Sequence, residues 1–361
     1  MAATTDAVLA FLVAAAIAWL LVPYAERLAY RIGAIDMPKE RGLHDRPMPR
    51  LSGLAIFAGI EVAGWIWLPG DGESHSILLG AAAIAAIGVI DDVRGLPALP
   101  KLLGQIGAAL IPVLGGVRVD NLTLPFVGGF ELGWLAYPLT VLGIVAVVNV
   151  INFIDGVDGL AAGVCTIAAI ALAVIALSLE RNAAGVLAAL TAGGALGFLR
   201  HGFPPASSFM GDTGSNLLGY LLATASVQGA LKTNAVVAKR LKYRQPIYQA
   251  DTWHFHHRMA NIGFSQRRTL AYLYGWTLAL AALALALRFV PYSDNHGHFN
   301  TFWTAVMVAF GLLALATSVY LVYVLEILKL RRGRLNPETG EFEAITLEEA
   351  GETVESSRRR T

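Results

Sequence analysis

The chain has 361 residues, of which 56% are hydrophobic and only 15% are charged, and its formal net charge is +1. In a soluble chain about a quarter of the residues are charged. A net charge this close to zero produces no overall electrostatic field that would attract a nucleic acid polymer. Long apolar blocks with almost no charge instead predict an all-α, polytopic membrane protein with about ten transmembrane helices.

The apolar blocks predict the spanning helices. They fall at roughly 7–22, 51–68, 76–90, 102–114, 132–151, 160–179, 184–199, 214–231, 269–290 and 301–328. The first has no basic segment before it and no small-residue cleavage site after it, so it is interpreted as a span rather than a signal peptide. Residues 1–328 are predicted to form one membrane domain, and the polar residues 329–361 a disordered cytoplasmic tail. The single cysteine, Cys165, excludes a disulfide framework and is interpreted as a core residue.

Lysine and arginine indicate which loops face the cytoplasm. Residues 23–50 contain six of them, residues 239–268 contain seven, and the tail from residue 329 contains seven. The positive-inside tendency assigns all three regions to the cytoplasm. Simple alternation agrees through eight blocks and places four loops inside: 23–50, 91–101, 152–159 and 200–213. It then places 239–268 outside. Either 214–238 does not cross fully, or a span between about 231 and 240 is missing.

Adjacent carboxylates follow the third apolar block, at Asp91 and Asp92. Neighbouring carboxylates at a membrane boundary repel each other unless a cation or a basic group neutralises them. The pair is therefore interpreted as a metal or phosphate site, or as the source of a general base. Ordinary solvated acids at a helix end are the alternative.

A second polar motif, NVINFIDGVDGLAAG, occupies residues 149–163. Asn149 and Asn152 are three residues apart and share a helix face, and Asp155 and Asp158 follow, each before a glycine. Glycines allow backbone amides to approach a ligand, and a helix that restarts near residue 159 favours an anion. Such side chains are costly at a membrane edge unless they have partners. The alternative is a polar interhelical loop.

A third motif, FMGDTGSNLLG at 209–219, places Asp212 between glycines directly before an apolar block. Asp212 is interpreted as a ligand for a hard cation, because magnesium prefers one or two carboxylates together with phosphate oxygens and water. Helix capping is the alternative.

The stretch WHFHHR at 253–258 contributes His254, His256, His257 and Arg258. Zinc is disfavoured because the histidine spacing matches no common helical pair and the adjacent arginine opposes a cation. Cationic and hydrogen-bonding side chains suit a diphosphate better. A solvated basic loop and a zinc site are the alternatives.

These polar motifs are predicted to gather at the cytoplasmic ends of several spans. Transporter carboxylates instead tend to lie near the middle of the membrane on broken helices. The pattern therefore favours a shallow active site, built from cytoplasmic loops, that takes one soluble and one lipid substrate. A membrane transporter is the alternative from a different class.

Taken together, DDVRGLP, NVINFIDGVDGLAAG, MGDTGS and HFHHR resemble, in this order, the polyprenyl-phosphate N-acetylhexosamine-1-phosphate transferases of the glycosyltransferase 4 type. HDRPMPRLSGLAIF at 44–57 is also similar to the family's first cytoplasmic loop, and the resemblance covers about residues 20–290. WHFHHR looks like the HxHHR type of the undecaprenyl-phosphate GlcNAc-1-phosphate transferases. The phospho-N-acetylmuramoyl-pentapeptide transferases of peptidoglycan synthesis carry a different histidine motif and are the second candidate.

The resemblance implies a reaction in which a UDP-N-acetylhexosamine and polyprenyl phosphate give the lipid-linked diphosphate sugar and UMP, at the bacterial inner membrane, with Mg²⁺ or Mn²⁺. It implies that Asp212 holds the metal, and that Asp91 or Asp92 removes a proton from the lipid phosphate or helps to hold the metal. The resemblance implies that Asp155 and Asp158 are catalytic and line the nucleotide and metal side of the site together with Asn149 and Asn152. It implies contacts with the diphosphate or the sugar for His254, His256, His257 and Arg258, and phosphate contacts for Arg46 and Arg50. A homodimer is compatible with it.

Two departures from the family pattern stand out. Ser52-Gly53 replaces a pair of glycines, which is a mild change. Residues 228–246 run almost directly from the MGDTGS helix to the histidine motif, where relatives of this kind have a further span. We therefore hypothesise that one span is deleted here, at the same place where the alternation of spans and the positions of the basic loops disagree. If the deletion puts the histidines on the side of the membrane opposite the aspartates, the chain is a catalytically impaired homologue.

Overall fold

The computed structural model describes residues 2–37, 47–124, 128–231, 266–291, 300–330, 333–335 and 342–344. Its helices are α1 (Ala2–Ile32), α2 (Gly53–Trp67), α3 (Gly72–Arg94), α4 (Ala98–Leu114), α5 (Ala136–Ile154), α6 (Leu160–Ser178), α7 (Asn182–Gly202), α8 (Gly211–Ser226), α9 (Gln266–Phe289) and α10 (Thr301–Leu330). A π-helical turn, Val227–Leu231, extends α8, and a 3₁₀ turn, Gly133–Leu135, precedes α5. Each apolar block predicted from the sequence coincides with one of these helices, so the all-α membrane fold is confirmed.

Short antiparallel hairpins are the β-structure within these ranges. They pair β1 (Ile35–Asp36) with β2 (Met48–Pro49), β3 (Asn121–Leu124) with β4 (Gly128–Glu131), and β5 (Gly333–Leu335) with β6 (Phe342–Ala344). The last hairpin lies inside the tail that the sequence predicts to be disordered.

Seven of the described helices are long and apolar enough to cross a membrane. They are α1, α3, α5 with its preceding turn, α6, α7, α9, and α10 as far as Val319. The helices α2 and α4 are apolar but shorter. Each residue of a helix adds about 1.5 Å, so these two span less of a hydrocarbon core of about 30 Å than their neighbours do.

Helix α8 forms the centre of the bundle. Almost all of its residues are buried, and it packs against α2, α3, α5, α6 and α7. Tyr220 is fully buried and its hydroxyl donates to the carbonyl oxygen of Ile77 at 3.0 Å. A helix buried on all sides needs apolar or internally paired side chains all round, and the tyrosine satisfies this condition through its bond to α3.

Helices α1 and α7 run parallel and very close together. A Cβ atom on Gly193 would collide with the carbonyl oxygen of Phe11, and one on Gly197 with that of Ala15. Small residues on both surfaces permit this approach, as is common in membrane helix pairs. On α1 the buried positions are mostly alanines at three- and four-residue spacing, from Ala7 to Ala29.

The helices alternate in direction, and this defines two ends of the bundle. We call the end that carries Asp91, Asp92, Asp155 and Asp212 the acidic end, and the opposite one the far end. Helices α1, α3, α5 and α7 finish at the acidic end, whereas α2, α4, α6 and α8 begin there. This agrees with the alternation predicted for the first eight blocks.

Helix α9 also begins at the acidic end. The Tyr274 hydroxyl donates to the carbonyl oxygen of Gly159 at 2.6 Å, near the start of α6, and the Arg288 Nε donates to the Ser178 hydroxyl at 2.8 Å, at the end of α6. Helix α8 reaches the far end, where the Gln228 Nε2 donates to the Glu73 carboxylate at 3.3 Å. The plain count that put the chain outside before α9 is therefore wrong at Gln266. Residues 232–265, including the proposed deletion, lie outside the described residues.

Candidate active site

Asp92 closes the N-terminus of α8. Its Oδ1 accepts from the backbone N–H of Asp212 at 2.8 Å, and its Oδ2 accepts from the N–H and the hydroxyl of Thr213 at 2.9 and 2.7 Å. The first amides of a helix have no partners inside the helix, so a carboxylate from α3 acts here as the cap of α8. Gly211 permits the approach, because it has a φ of +66° and a Cβ there would meet the Asp92 carboxylate.

This geometry favours a structural role for Asp92, and its assignment to the metal or to proton removal stays a prediction. The side chain is fully buried, and both oxygens are already engaged by α8. A metal ligand needs an oxygen lone pair that faces the ion, whereas both oxygens of Asp92 face the first amides of α8. We therefore interpret Asp92 as a positioning residue for Asp212.

Asp91 points to a different partner from its neighbour. Its Oδ1 accepts from the backbone N–H of Leu96 at 2.6 Å, and its Oδ2 lies 2.8 Å from the Nζ of Lys101. The same Nζ lies 2.9 Å from the Oδ1 of Asp212. Lys101, in the first turn of α4, thus bridges the two carboxylates, and partly buried charges paired in this way attract more strongly than exposed ones.

Sequence reasoning missed Lys101. Its local signal is weak, because one lysine at the start of an apolar helix is equally typical of a solvated membrane boundary. A usable signal was that Lys101 follows the paired aspartates by one loop, which brings it back to the same end of the bundle.

Asp212 is the centre of the polar cluster. The Asn152 Nδ2 donates to its Oδ1 and also to the Ser215 hydroxyl, the latter at 2.9 Å. The Arg50 Nη2 lies 3.7 Å from the Asp212 Oδ2 and 3.4 Å from the Asp92 Oδ1. The structure therefore brings Asn152 and Arg50 to Asp212, as the sequence predicted for one site.

Asp155 ends α5 beside this cluster and is partly exposed. The surrounding protein raises its pKa well above the usual range, first because burial disfavours the charged carboxylate and then because Asp212 and Asp92 are negative neighbours. Asp158 lies in the same loop, and its Oδ2 accepts from the backbone N–H of Ala206 at 3.2 Å. That contact ties the loop before α6 to the loop before α8.

Asn149 lies one turn farther from the acidic end than Asn152. Its Nδ2 donates to the Gln105 Oε1 at 2.8 Å, and no bond from it to an aspartate is present among the residues with described side chains. Arg46, His254, His256, His257 and Arg258 lie outside the described residues. The nearest described basic group after them is Arg267, whose Nη2 donates to the Pro204 carbonyl oxygen at 3.3 Å.

The arrangement has an excess of negative charge. Three carboxylates, of Asp91, Asp92 and Asp212, face the two cations of Lys101 and Arg50. Asp155 adds a fourth carboxyl group, whose raised pKa favours its neutral form. Within the ranges that the structure covers, no three His, Cys, Asp or Glu side chains are placed to hold a metal ion by themselves. A metal would therefore need further oxygen ligands from a substrate, which is how magnesium binds beside phosphates.

Comparison with known proteins gives matches of one kind. The profile of glycosyl transferase family 4 matches residues 74–230, which include every aspartate of the cluster. A Bacillus subtilis protein named probable undecaprenyl-phosphate N-acetylglucosaminyl 1-phosphate transferase is 35% identical over 303 residues, covering 77% of this chain and 84% of the relative. A decaprenyl-phosphate N-acetylglucosaminephosphotransferase of Mycobacterium tuberculosis (strain ATCC 25618 / H37Rv) is 34% identical over 319 residues, covering 73% and 78%.

A more distant match comes from Heliobacterium modesticaldum. This phospho-N-acetylmuramoyl-pentapeptide-transferase is 32% identical over 235 residues, covering 60% of this chain and 73% of the relative. The profile and the longer matches agree with the resemblance in the ordered motifs. The chain belongs to glycosyl transferase family 4.

Proposed function

We propose that the chain transfers N-acetylglucosamine-1-phosphate from UDP-GlcNAc to polyprenyl phosphate, such as undecaprenyl phosphate, and releases UMP. The names of the Bacillus and Mycobacterium relatives support both the lipid and the sugar. The observation that carries the proposal is the position of Asp212, between Lys101 and Arg50 at one end of an apolar helix bundle. Such a site suits two anionic substrates, one soluble and one held in the bilayer. The reaction would be the first membrane step in the synthesis of a cell-envelope polysaccharide.

In this reaction an oxygen of the lipid phosphate bonds to the sugar-linked phosphorus, and the bond from that phosphorus to the oxygen of UMP breaks. Both substrates are anionic, so charge neutralisation and alignment supply most of the catalysis. Lys101 and Arg50 are the described cations that would contact phosphate oxygens. Asp91 is the carboxylate that would accept a proton from the lipid phosphate, because its Oδ2 contacts a flexible lysine side chain, whereas both oxygens of Asp92 hold backbone amides of α8.

We propose Mg²⁺ as the cofactor, with Mn²⁺ as a substitute. The side chains around Asp212 offer oxygen donors, which magnesium prefers, and the excess of negative charge favours a cation. Asp212 would hold the ion, since its Oδ2 has only a distant contact, at 3.7 Å, with Arg50. When bound, the ion would neutralise charge on the diphosphate.

The remaining residues complete the proposed site. Asn152 and Asp155 would face the nucleotide and the metal, and Asp158 would hold the loop between α5 and α6 in place. Arg46 and the four residues His254, His256, His257 and Arg258 stay predictions for contacts with the diphosphate or the sugar. The start of α9 at the acidic end is consistent with this role, because Arg258 precedes Gln266 by only eight residues.

The first test measures UMP release from UDP-GlcNAc and undecaprenyl phosphate in membranes that contain the protein. We expect release that depends on both substrates and stops when EDTA removes divalent cations. Membranes that lack the protein are the control. Absence of UMP release together with retained nucleotide binding would indicate a catalytically impaired homologue, and solute flux without UMP release would indicate a transporter.

The pentapeptide transferase reaction is the second candidate, because the Heliobacterium relative matches 60% of this chain. The same assay with UDP-N-acetylmuramoyl-pentapeptide separates the two. We expect UDP-GlcNAc to be used at least ten times faster, as the higher identity of the GlcNAc-type relatives suggests. Preference for the pentapeptide nucleotide would reverse the assignment.

We further propose that the acidic end faces the cytoplasm of a bacterial inner membrane. In a Cys165→Ala background, Asn182→Cys at the far end is expected to react with a membrane-impermeant maleimide in intact cells. Ala98→Cys at the acidic end is expected to react only after permeabilisation. Both residues are exposed, so unequal labelling reports the side of the membrane rather than burial. The reverse pattern would invert the proposed orientation.

A further inference from the structure

A second polar layer lies one helical turn deeper in the bundle than the cluster around Asp212. The upper layer takes Lys101 from α4, Asn152 from α5 and Asp212 from α8. The deeper layer, which we call the amide layer, takes Gln105, Asn149 and Asn216 from the same three helices. The spacing is four residues on α4 and α8 and three on α5, so each amide lies beneath its partner on the same helix face.

The amide layer is hydrogen-bonded across the helices. The Asn149 Nδ2 donates to the Gln105 Oε1 at 2.8 Å and to the carbonyl oxygen of Val145 in its own helix, also at 2.8 Å. The Gln105 Nε2 donates to the Asn216 Oδ1 at 3.5 Å. The chain of contacts therefore joins α5 to α4, and α4 to α8.

Two of these amides are deeply buried in an otherwise apolar interior, and Asn149 is half-buried. Gln105 is 1% exposed and Asn216 is fully buried, and the Asn216 Nδ2 makes no hydrogen bond among the described residues. Burying amide groups costs free energy that aliphatic side chains of similar size would not, so packing alone does not account for three of them in one layer.

We propose that Gln105 and Asn216 are positioning residues whose amide layer fixes the axial register of α4, α5 and α8. This inference rests on the proposed function. Aliphatic contacts tolerate sliding, but a hydrogen bond weakens steeply outside a narrow range of distance and angle. A slide by one residue moves a helix by about 1.5 Å. That shift would break the Asn149–Gln105 bond and, one turn above, the contact between Lys101 and Asp212.

The consequence for catalysis is a loss of alignment rather than of substrate binding. A misplacement of about 1 Å can lower a rate about 100-fold when the reaction depends on orientation. Asp155, which is proposed to face the nucleotide, lies in the loop after α5 and not in the amide layer. Loss of the amide layer should therefore lower kcat and leave the KM for UDP-GlcNAc nearly unchanged.

The test compares Gln105→Met, Asn216→Leu and the double variant with a matched control. Thr224→Val removes a buried hydroxyl from α8. Among the described residues, this hydroxyl bonds within its own helix, to the carbonyl oxygens of Tyr220 at 3.0 Å and Leu221 at 3.2 Å. We expect Gln105→Met to lower kcat about 10- to 100-fold with KM changed less than about threefold. The double variant should be no worse than Gln105→Met, because removing both partners leaves no unpaired amide between them. Thr224→Val should match the parent.

A second readout is independent of activity. Spin labels on Ala98→Cys in α4 and Phe203→Cys at the end of α7, in a Cys165→Ala background, report the position of α4 against the bundle. Gln105→Met is expected to shift or broaden the distance distribution, and Thr224→Val to leave it unchanged. An unchanged distribution in Gln105→Met, or a raised KM with normal kcat, would overturn the positioning role. If the parent releases no UMP but the distribution shifts, the proposed function fails and the register role stands.

Discussion

Asp212→Asn is expected to lower UMP release about 1,000-fold at saturating substrates and magnesium. The change keeps the shape of the side chain but removes the charge between Lys101 and Arg50, and it can place an amide N–H₂ against the Lys101 ammonium. The kcat for UMP release in purified protein is the measurement.

Asp120→Asn is the matched control for this variant. Asp120 lies at the far end, where its Oδ1 accepts from the Arg118 Nε at 2.7 Å in an exposed ion pair. Exposed pairs of this kind contribute little, so its kcat should equal that of the parent. Activity of Asp212→Asn within tenfold of the parent would remove Asp212 from the proposed metal site.

Asp92→Asn is expected to have the second largest effect, and for a different reason. An asparagine has one oxygen where the carboxylate has two, so its N–H₂ group must face a backbone N–H of Asp212 or Thr213. The lost cap should lower the free energy of unfolding by about 1–2 kcal/mol, as at other helix N-termini. The displaced Asp212 should lower kcat about 100-fold.

Magnesium titration separates a positioning role of Asp92 from a ligand role. If Asp92 acts only as a cap, Asp92→Asn should reach half-maximal activity at a magnesium concentration within about threefold of that of the parent. In our assignment Asp212 and the substrate hold the ion. Asp71→Asn is the control, since Asp71 caps α3 at the far end by accepting from the Ser74 N–H at 2.8 Å, and asparagine caps equally well. Normal stability of Asp92→Asn with a tenfold higher magnesium requirement would return Asp92 to the metal.

The fold was largely predictable because each spanning helix is a continuous apolar segment of the sequence. Each apolar block coincides with a helix, and the alternation of the first eight was visible in the charges of their loops. The span count was wrong at the start of α9, which lies at the acidic end although α8 reaches the far end. The short hairpin of β1 and β2, which leads Arg50 towards Asp92, has no clear sequence pattern.

The candidate site was predictable as a set of motifs but not as a set of roles. Asp91 and Asp92 are adjacent in sequence and were treated as interchangeable, yet one contacts Lys101 and the other caps α8. That division depends on which helix packs beside each carboxylate. Gln105 and Asn216 were missed for the same reason, because the role of a single amide in an apolar helix depends on its partners on other helices.

The central place of α8 has a consequence for the lipid environment. Bilayers of different thickness are accommodated by tilting of helices that face lipid. Helix α10 is such a helix, since Met307 is its one buried side chain between Thr301 and Val319. Helix α8 is enclosed by protein and capped by Asp92. When the bilayer thickness differs from the length of the apolar helices, the outer helices should therefore tilt while the carboxylate of Asp212 stays in place. Chemistry of this site should therefore vary little between thin and thick membranes.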